Sequence, residues 1–371
     1  MTDLSRPLRI HQPRRVEFGL GTAAEVGSWA RAEGFARILV LTQNSMAGRV
    51  AALELPGAVT VFAGVKPEPD TDNLALALAA ARGSQPDLVV GFGGGSVMDL
   101  AKLVTVLRGG QVLAEIIGPN RVTARQNALA LVPTTAGTGS EAGIRALVTD
   151  VTTGMKVAVE SPFLLADMVA MDPGLTMTLP PAVTAATGID AMAHCVEAYT
   201  SRRAHRLIDA YALMGIDLVA RHLPRAVADG SDAEARAGLL LAAYYGGICL
   251  GPVNTAAGHA LAYPLGTRLK LPHGLANAII FPHVLAFNAP VVPEKTARIA
   301  GLLGLEMGDL LASAHGWCAA LGVKMRLSEN GATDAQLVSW AAEAHGIRRL
   351  MDFNPRDMSV AEVEAIYRAA F

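Results

Sequence analysis

Charge is scarce in this chain: Asp, Glu, Lys and Arg make up 17% of its 371 residues, and aromatic residues only 5%. Neither sign dominates, since 31 basic residues face 33 acidic ones for a formal net charge of −2. That balance leaves no electrostatic footprint for nucleic acid or an anionic membrane surface. Cysteine is nearly absent. Cys195, Cys249 and Cys318 are widely spaced, odd in number, and form no Cys-x-x-Cys pair. This argues against a disulfide framework and for a reduced, cytoplasmic setting. Residues 1–7 contain no apolar core of a signal peptide. Unbroken hydrophobic runs are missing too. The stretch 237–267 carries no formal charge, but Gly246, Gly247, Gly251, Pro252, Asn254, His259 and Pro264 interrupt it. A membrane span needs about 20 mainly apolar residues without such punctuation, so a pair of buried helices is expected there.

What is abundant is apolar bulk: 51% of the residues are hydrophobic, enough for two domains with well-formed cores. In the first half, short apolar runs at 37–42, 58–62, 87–92 and 128–133 alternate with alanine-rich helical stretches at 71–82 and 98–107. This alternation predicts an α/β domain with a parallel sheet, whose ligands sit beyond the carboxyl ends of the strands. After Leu179-Pro180-Pro181 the pattern becomes long, Ala/Leu-rich and helical. The expected organisation is therefore an α/β domain over 1–180 and an all-helical domain over 181–371. The two would abut directly, and a small-molecule site is expected at such a junction.

Two turns stand at predicted strand ends. In Val89-Val-Gly-Phe-Gly-Gly-Gly-Ser-Val-Met-Asp-Leu-Ala-Lys102, a strand runs through a tight loop into a helix. Gly93, Gly94 and Gly95 let the backbone approach a ligand closely, and the helix N-terminus offers free N–H groups suited to a phosphate. Ser96 can cap that helix or donate to a phosphate oxygen. The pattern is neither G-x-G-x-x-G nor a Walker A loop. A second turn, Pro133-Thr-Thr-Ala-Gly-Thr-Gly-Ser-Glu141, is dense in hydroxyls.

The C-terminal half holds a candidate metal site. Asp190 and His194 lie four residues apart in a proline-free helical run, on one face and one turn apart. His259 and His273 follow in apolar, glycine-flanked surroundings. Three imidazoles and one carboxylate suit iron or zinc better than calcium or magnesium. Burying these groups without a partner would cost several kcal/mol, a penalty a metal removes. The other histidines receive no such role. His283 reads as a core residue, and His11, His205, His222, His315 and His345 lie in polar or surface-like contexts.

With these motifs in order, the chain resembles the iron-containing (group III) alcohol dehydrogenase family. The matching blocks are Phe62–Pro69, Gly93–Lys102, Pro133–Glu141, Gly188–His194 and, most specifically, His259–Asn277. The resemblance spans most of the chain. It implies a dehydroquinate synthase-like fold and Fe²⁺, or Zn²⁺ in its place, bound by Asp190, His194, His259 and His273. It further implies NAD or NADP, with Gly94, Gly95 and Ser96 at the pyrophosphate and Asp99 supporting that loop. Thr134, Thr135 and Thr138 match positions facing the nucleotide, and Lys156 one near the nicotinamide ribose. A homodimer is the expected assembly.

Three departures stand out. Many relatives have a second histidine four residues after the third ligand, a proton-relay candidate; here Tyr263 stands there, either as relay or as a pocket wall. Gln43 replaces an aspartate that disfavours NADP in many NAD-preferring members, and with no adjacent arginine this leans toward NAD. Arg145 occupies a position that tends to face substrate, where it would suit an anionic group, unless it pairs with a structural acid. The expected activity is hydride transfer between nicotinamide and a small alcohol or aldehyde. A maleylacetate reductase and a dehydroquinate synthase-type lyase are the alternatives, with a catalytically idle nucleotide-binding protein behind them.

Overall fold

Among the described residues, nine strands form in chain order: β1 (Arg15–Phe18), β2 (Arg37–Leu41), β3 (Ala58–Phe62), β4 (Leu88–Gly93), β5 (Gly118–Pro119), β6 (Ala128–Pro133), β7 (Arg145–Thr149), β8 (Lys156–Glu160) and β9 (Met168–Met171). The computed structural model describes residues 5–371, so the first four residues of the segment without a signal-peptide core lie outside the described residues. Two compact units are present. One is Ile10–Met177; the other is Thr178–Phe371 with the N-terminal segment that ends at Arg9.

In the first unit, six strands make a sheet of order β1-β9-β6-β4-β2-β3, with every neighbouring pair parallel. The central strand β4 is buried along its whole length, which fits its near-continuous apolar sequence. Gly91 is required in it, since a Cβ would stand 2.8 Å from Leu131 Cδ2 and 2.9 Å from the Ala101 methyl. The β4–β6 register pairs Gly93 with Pro133, so the glycine turn and the threonine turn leave the sheet side by side. Strand β2 lies on the other side of β4, where Thr42 Oγ1 donates to Phe92 O at 2.7 Å.

Strands β2, β3, β4 and β6 coincide with the apolar runs of the sequence. The four-residue strands β1 and β9 were not anticipated, nor was the small sheet β5-β8-β7. Strands β1, β5 and β9, of two to four residues, hold too few to express a period. The helix after β4 begins at Gly95, three residues before the alanine-rich pattern suggests, so the glycine turn is itself the helix N-terminus.

The second unit is helical, with long helices at Pro181–Thr200, Arg206–Ala228, Ala233–Leu250, Ala257–Arg268 and His273–Asn288. Pro181 opens the first, where its missing N–H costs nothing. Buried Arg236 ties the third to the first by donating to Thr184 Oγ1 at 2.7 Å. Gly274 permits the last to approach the first, because a Cβ there would stand 2.5 Å from Ala186 O. His205 is not a surface residue: it is buried and caps Arg206–Ala228, its Nδ1 accepting from Leu207 N at 3.2 Å. His283 is a core histidine, its pKa pushed down to about 4 by burial. Among the described residues no helix is long and apolar enough to cross a membrane.

Candidate active site

Asp190 and His194 face the same side of the Pro181–Thr200 helix, both buried. His259 sits in the first turn of Ala257–Arg268, and His273 is the first residue of His273–Asn288. Three helices thus converge on one oxygen. From Asp190 Oδ1 the Nε2 atoms of His259, His273 and His194 stand at 3.6, 3.8 and 3.9 Å. Ligand atoms of Asp190, His259 and His273 all lie within 4.8 Å of one another. His194 stacks on His259 with centroids 4.7 Å apart. Four ligands about 2.1 Å from one ion would be separated by roughly 3.4 Å, so the cage is slightly wide but of the right size. Asp190, His259 and His273 form the tightest group, and with His194 beside Asp190 Oδ1 the donor set fits a first-row divalent ion.

Two further residues complete the cage, and the sequence reading passed over both. Glu197, buried on the same helix, is seven residues after Asp190 and three after His194. Its Oε1 accepts a hydrogen bond from His259 Nδ1–H at 2.6 Å, an arrangement that turns Nε2 toward the site. Its Oε2 accepts from Ala256 N and so caps the Ala257–Arg268 helix, whose N-terminal partial charge favours an anion. Gly258 makes this contact possible, as a Cβ would stand 2.6 Å from Glu197 Oε1. Asn277 follows His273 by one turn and donates from Nδ2 to Asp190 Oδ1 at 2.6 Å. A buried Glu or Asn on the ligand-bearing face of an apolar helix is the signal that could have found them.

Electrostatics follow from this packing. Burial alone would raise the Asp190 carboxyl, but His194, His273 and His259 outweigh it and hold it far below the usual carboxylate range. Burial disfavours charge on His259, yet Glu197 and Asp190 lift it to about 10. The site is built for positive charge. Tyr263 flanks it, its ring stacked on His273 with centroids 5.8 Å apart and the Arg349 guanidinium carbon 5.4 Å from the Tyr263 ring centroid.

In the α/β unit the two turns form a cradle. A Cβ on Gly95 would meet Thr138 Cγ2 at 2.6 Å, and one on Gly94 would crowd Thr135 Oγ1 at 3.1 Å, so the glycines let the threonines pack closely. Thr134 N donates to Gly93 O at 3.1 Å, locking the turns together. Ser96 Oγ accepts from Glu68 N at 3.1 Å. Below them Asp99 accepts from Ser140 Oγ at 2.6 Å and Leu147 N at 3.0 Å. Lys102, fully buried, donates to Ser140 O at 2.6 Å and Arg145 O at 2.9 Å. Burial pushes Lys102 down to about 8 and neighbouring Glu141 up to about 7.

The remaining predicted positions are placed as follows. Gln43 lies two residues beyond β2, at the N-cap of the short helix Asn44–Ala47, and donates from Nε2 to Ser45 Oγ at 3.0 Å. Lys156 opens β8 and pairs with Glu68. Arg145 opens β7 opposite Glu160 in the β7–β8 register and pairs with its Oε2 at 2.7 Å.

Comparison with known proteins agrees with both units. Residues 13–173 match the model of iron-containing alcohol dehydrogenase, and residues 184–371 that of the Fe-containing alcohol dehydrogenase family, C-terminal. Long-chain-alcohol dehydrogenase 1 of Geobacillus thermodenitrificans is 35% identical over 383 residues, covering 98% of this chain and 96% of that protein. The crystal structure of a 1,3-propanediol oxidoreductase superposes with a TM-score of 0.94 at 32% identity, covering 99% of this chain and 100% of the other. Sulfoacetaldehyde reductase from Bifidobacterium kashiwanohense, solved in complex with NAD+, gives 0.90 at 25% identity over 99% of each chain. The α/β and helical units are thus those of the dehydroquinate synthase-like fold. A glycine–threonine cradle, an Asp-His-His-His cage and matches along both halves lead to one assignment: the chain belongs to the iron-containing alcohol dehydrogenase family, whose members are oxidoreductases.

Proposed function

We propose that this enzyme interconverts a small neutral alcohol and its aldehyde, using NAD in preference to NADP and an ion held by Asp190, His194, His259 and His273. The observation that carries this reading is the gathering of three imidazoles around one buried Asp190 oxygen. Fe²⁺ is the proposed ion and Zn²⁺ its alternative; when bound, it supplies Lewis acidity toward the substrate oxygen. Gly93, Gly94, Gly95 and Ser96 would receive the coenzyme pyrophosphate at the N-terminus of the Gly95–Leu107 helix. Thr134, Thr135 and Thr138 would line the nucleotide, with Asp99 bracing them through Ser140. Lys156 would stand near the ribose. Gln43 presents a neutral amide where an acid would repel a 2′-phosphate, and its engagement with Ser45 supports NAD.

Neutral substrates are favoured by Arg145, whose charge Glu160 already compensates. Arg145 as an anion contact is the second reading, supported by its guanidinium being only part-buried. Asp190 weighs against a maleylacetate reductase, a group that tends to lack that acid. An anaerobic screen of NADH and NADPH oxidation over neutral and acidic aldehydes, with Fe²⁺ or Zn²⁺ added back, tests the whole reading. NADH oxidation with a neutral aldehyde is expected, dependent on the added ion; activity unaltered by His273→Ala would sink the metal's role. In the same screen Arg145→Ala should leave the KM of acidic aldehydes unchanged, and a selective rise would instead support the anionic reading. Tyr263→Phe should lower kcat at least about tenfold if Tyr263 relays protons. An unchanged kcat would leave Tyr263 as a wall of the pocket.

A further inference from the structure

Asn277 reaches three of the four cage residues. Its Nδ2 stands 2.6 Å from Asp190 Oδ1 and 3.2 Å from the Nε2 atoms of both His259 and His273. The amide's orientation is dictated by these partners, since the reverse would press Oδ1 against the Asp190 carboxylate. Side chain and backbone are buried, and Oδ1 has no hydrogen-bond partner in the protein. Asn277 also lines a small cavity with Glu197, Thr200, Asn288 and Thr296. That cavity has room for about 20 Å³, enough for one water, which needs on the order of 10–15 Å³ and two to four polar partners.

We propose that Asn277 is a positioning residue for the metal cage: its amide donates to Asp190 Oδ1 and, standing beside the Nε2 atoms of His259 and His273, holds the carboxylate toward the point where those imidazoles meet. A donor on Asp190 Oδ1 fixes the direction of that buried carboxylate without adding a charge. The ligands are thereby preorganised, and binding the ion needs less rearrangement. This rests on the reading of the cluster as a metal centre.

The test uses the full-length protein stripped of metal, with Zn²⁺ as the probe and a chromogenic chelator as competitor. Asn277→Ala removes the donor and should weaken Zn²⁺ about tenfold or more. Asn277→Asp keeps the shape but sets a carboxylate against Asp190. It should lower the metal-free Tm, while its Tm gain on adding Zn²⁺ should exceed that of wild type, because the ion neutralises both acids. A residue that merely fills space would move the two variants alike, and equal Zn²⁺-induced Tm gains in both would overturn the proposal. Wild-type Zn²⁺ affinity in both variants would overturn it as well. Failure of wild type itself to bind Zn²⁺ or Fe²⁺ would instead bring down the metal centre, and this inference with it.

Discussion

Glu197 illustrates how much of the site's behaviour resides in single side chains. One carboxylate oxygen orients His259 and the other caps the helix that carries it. Glutamine has only one acceptor oxygen and cannot serve both positions. Glu197→Gln should therefore weaken metal retention by about 10–100-fold, as measured by chelator competition. Retention at the wild-type level would show that the carboxylate only caps the helix. The residue types and spacing of Asp190, His194, His259 and His273 were legible because ligand chemistry is written in side-chain identity. Glu197 and Asn277 were legible only as polar residues on a ligand-bearing helix face, because a Glu or Asn in a helix does not name the partner that folding places beside it. Arg145 shows the same limit: only the hairpin register brings Glu160 opposite it.

At the scale of elements, glycine placement sets how closely strands, turns and helices meet. Gly95 begins its helix and admits Thr138, with a would-be Cβ 2.8 Å from Thr138 Oγ1. Gly95→Val should push the threonine turn away and weaken NADH binding about tenfold or more, measured by coenzyme fluorescence. Metal content should stay unchanged, since the ligands lie in the other unit. Unaltered NADH affinity would remove the cradle from the coenzyme site. The sequence showed two separate turns, each weak alone. Strand order made them one feature, because β4 and β6 are neighbours and Gly93 pairs with Pro133. Sequence alternation could suggest a parallel sheet but could not specify that adjacency.

For the whole molecule, buried charge in the α/β unit couples stability to pH. Glu141 is 1% exposed, and burial lifts its carboxyl from 4.5 to about 7 against the opposing effects of its own backbone and of Lys102. Between those values the folded protein keeps a proton that the unfolded chain has released. The contribution of Glu141 to stability therefore declines as pH rises through that window and is lowest above about 7. Relative to Glu141→Gln, wild type should lose on the order of 3 kcal/mol between pH 4.5 and 7.5, seen in denaturant unfolding. A difference that is flat with pH would contradict this. The sequence by itself determined the two kinds of architecture and the residue types that gather in the candidate cage, because periodicity and side-chain chemistry are local properties. Tertiary structure decided which distant groups meet: Glu197 on His259, Asn277 on Asp190, Glu160 on Arg145, and the two turns on each other. Those contacts depend on helix packing and strand order, and no local pattern encodes the partner across the fold.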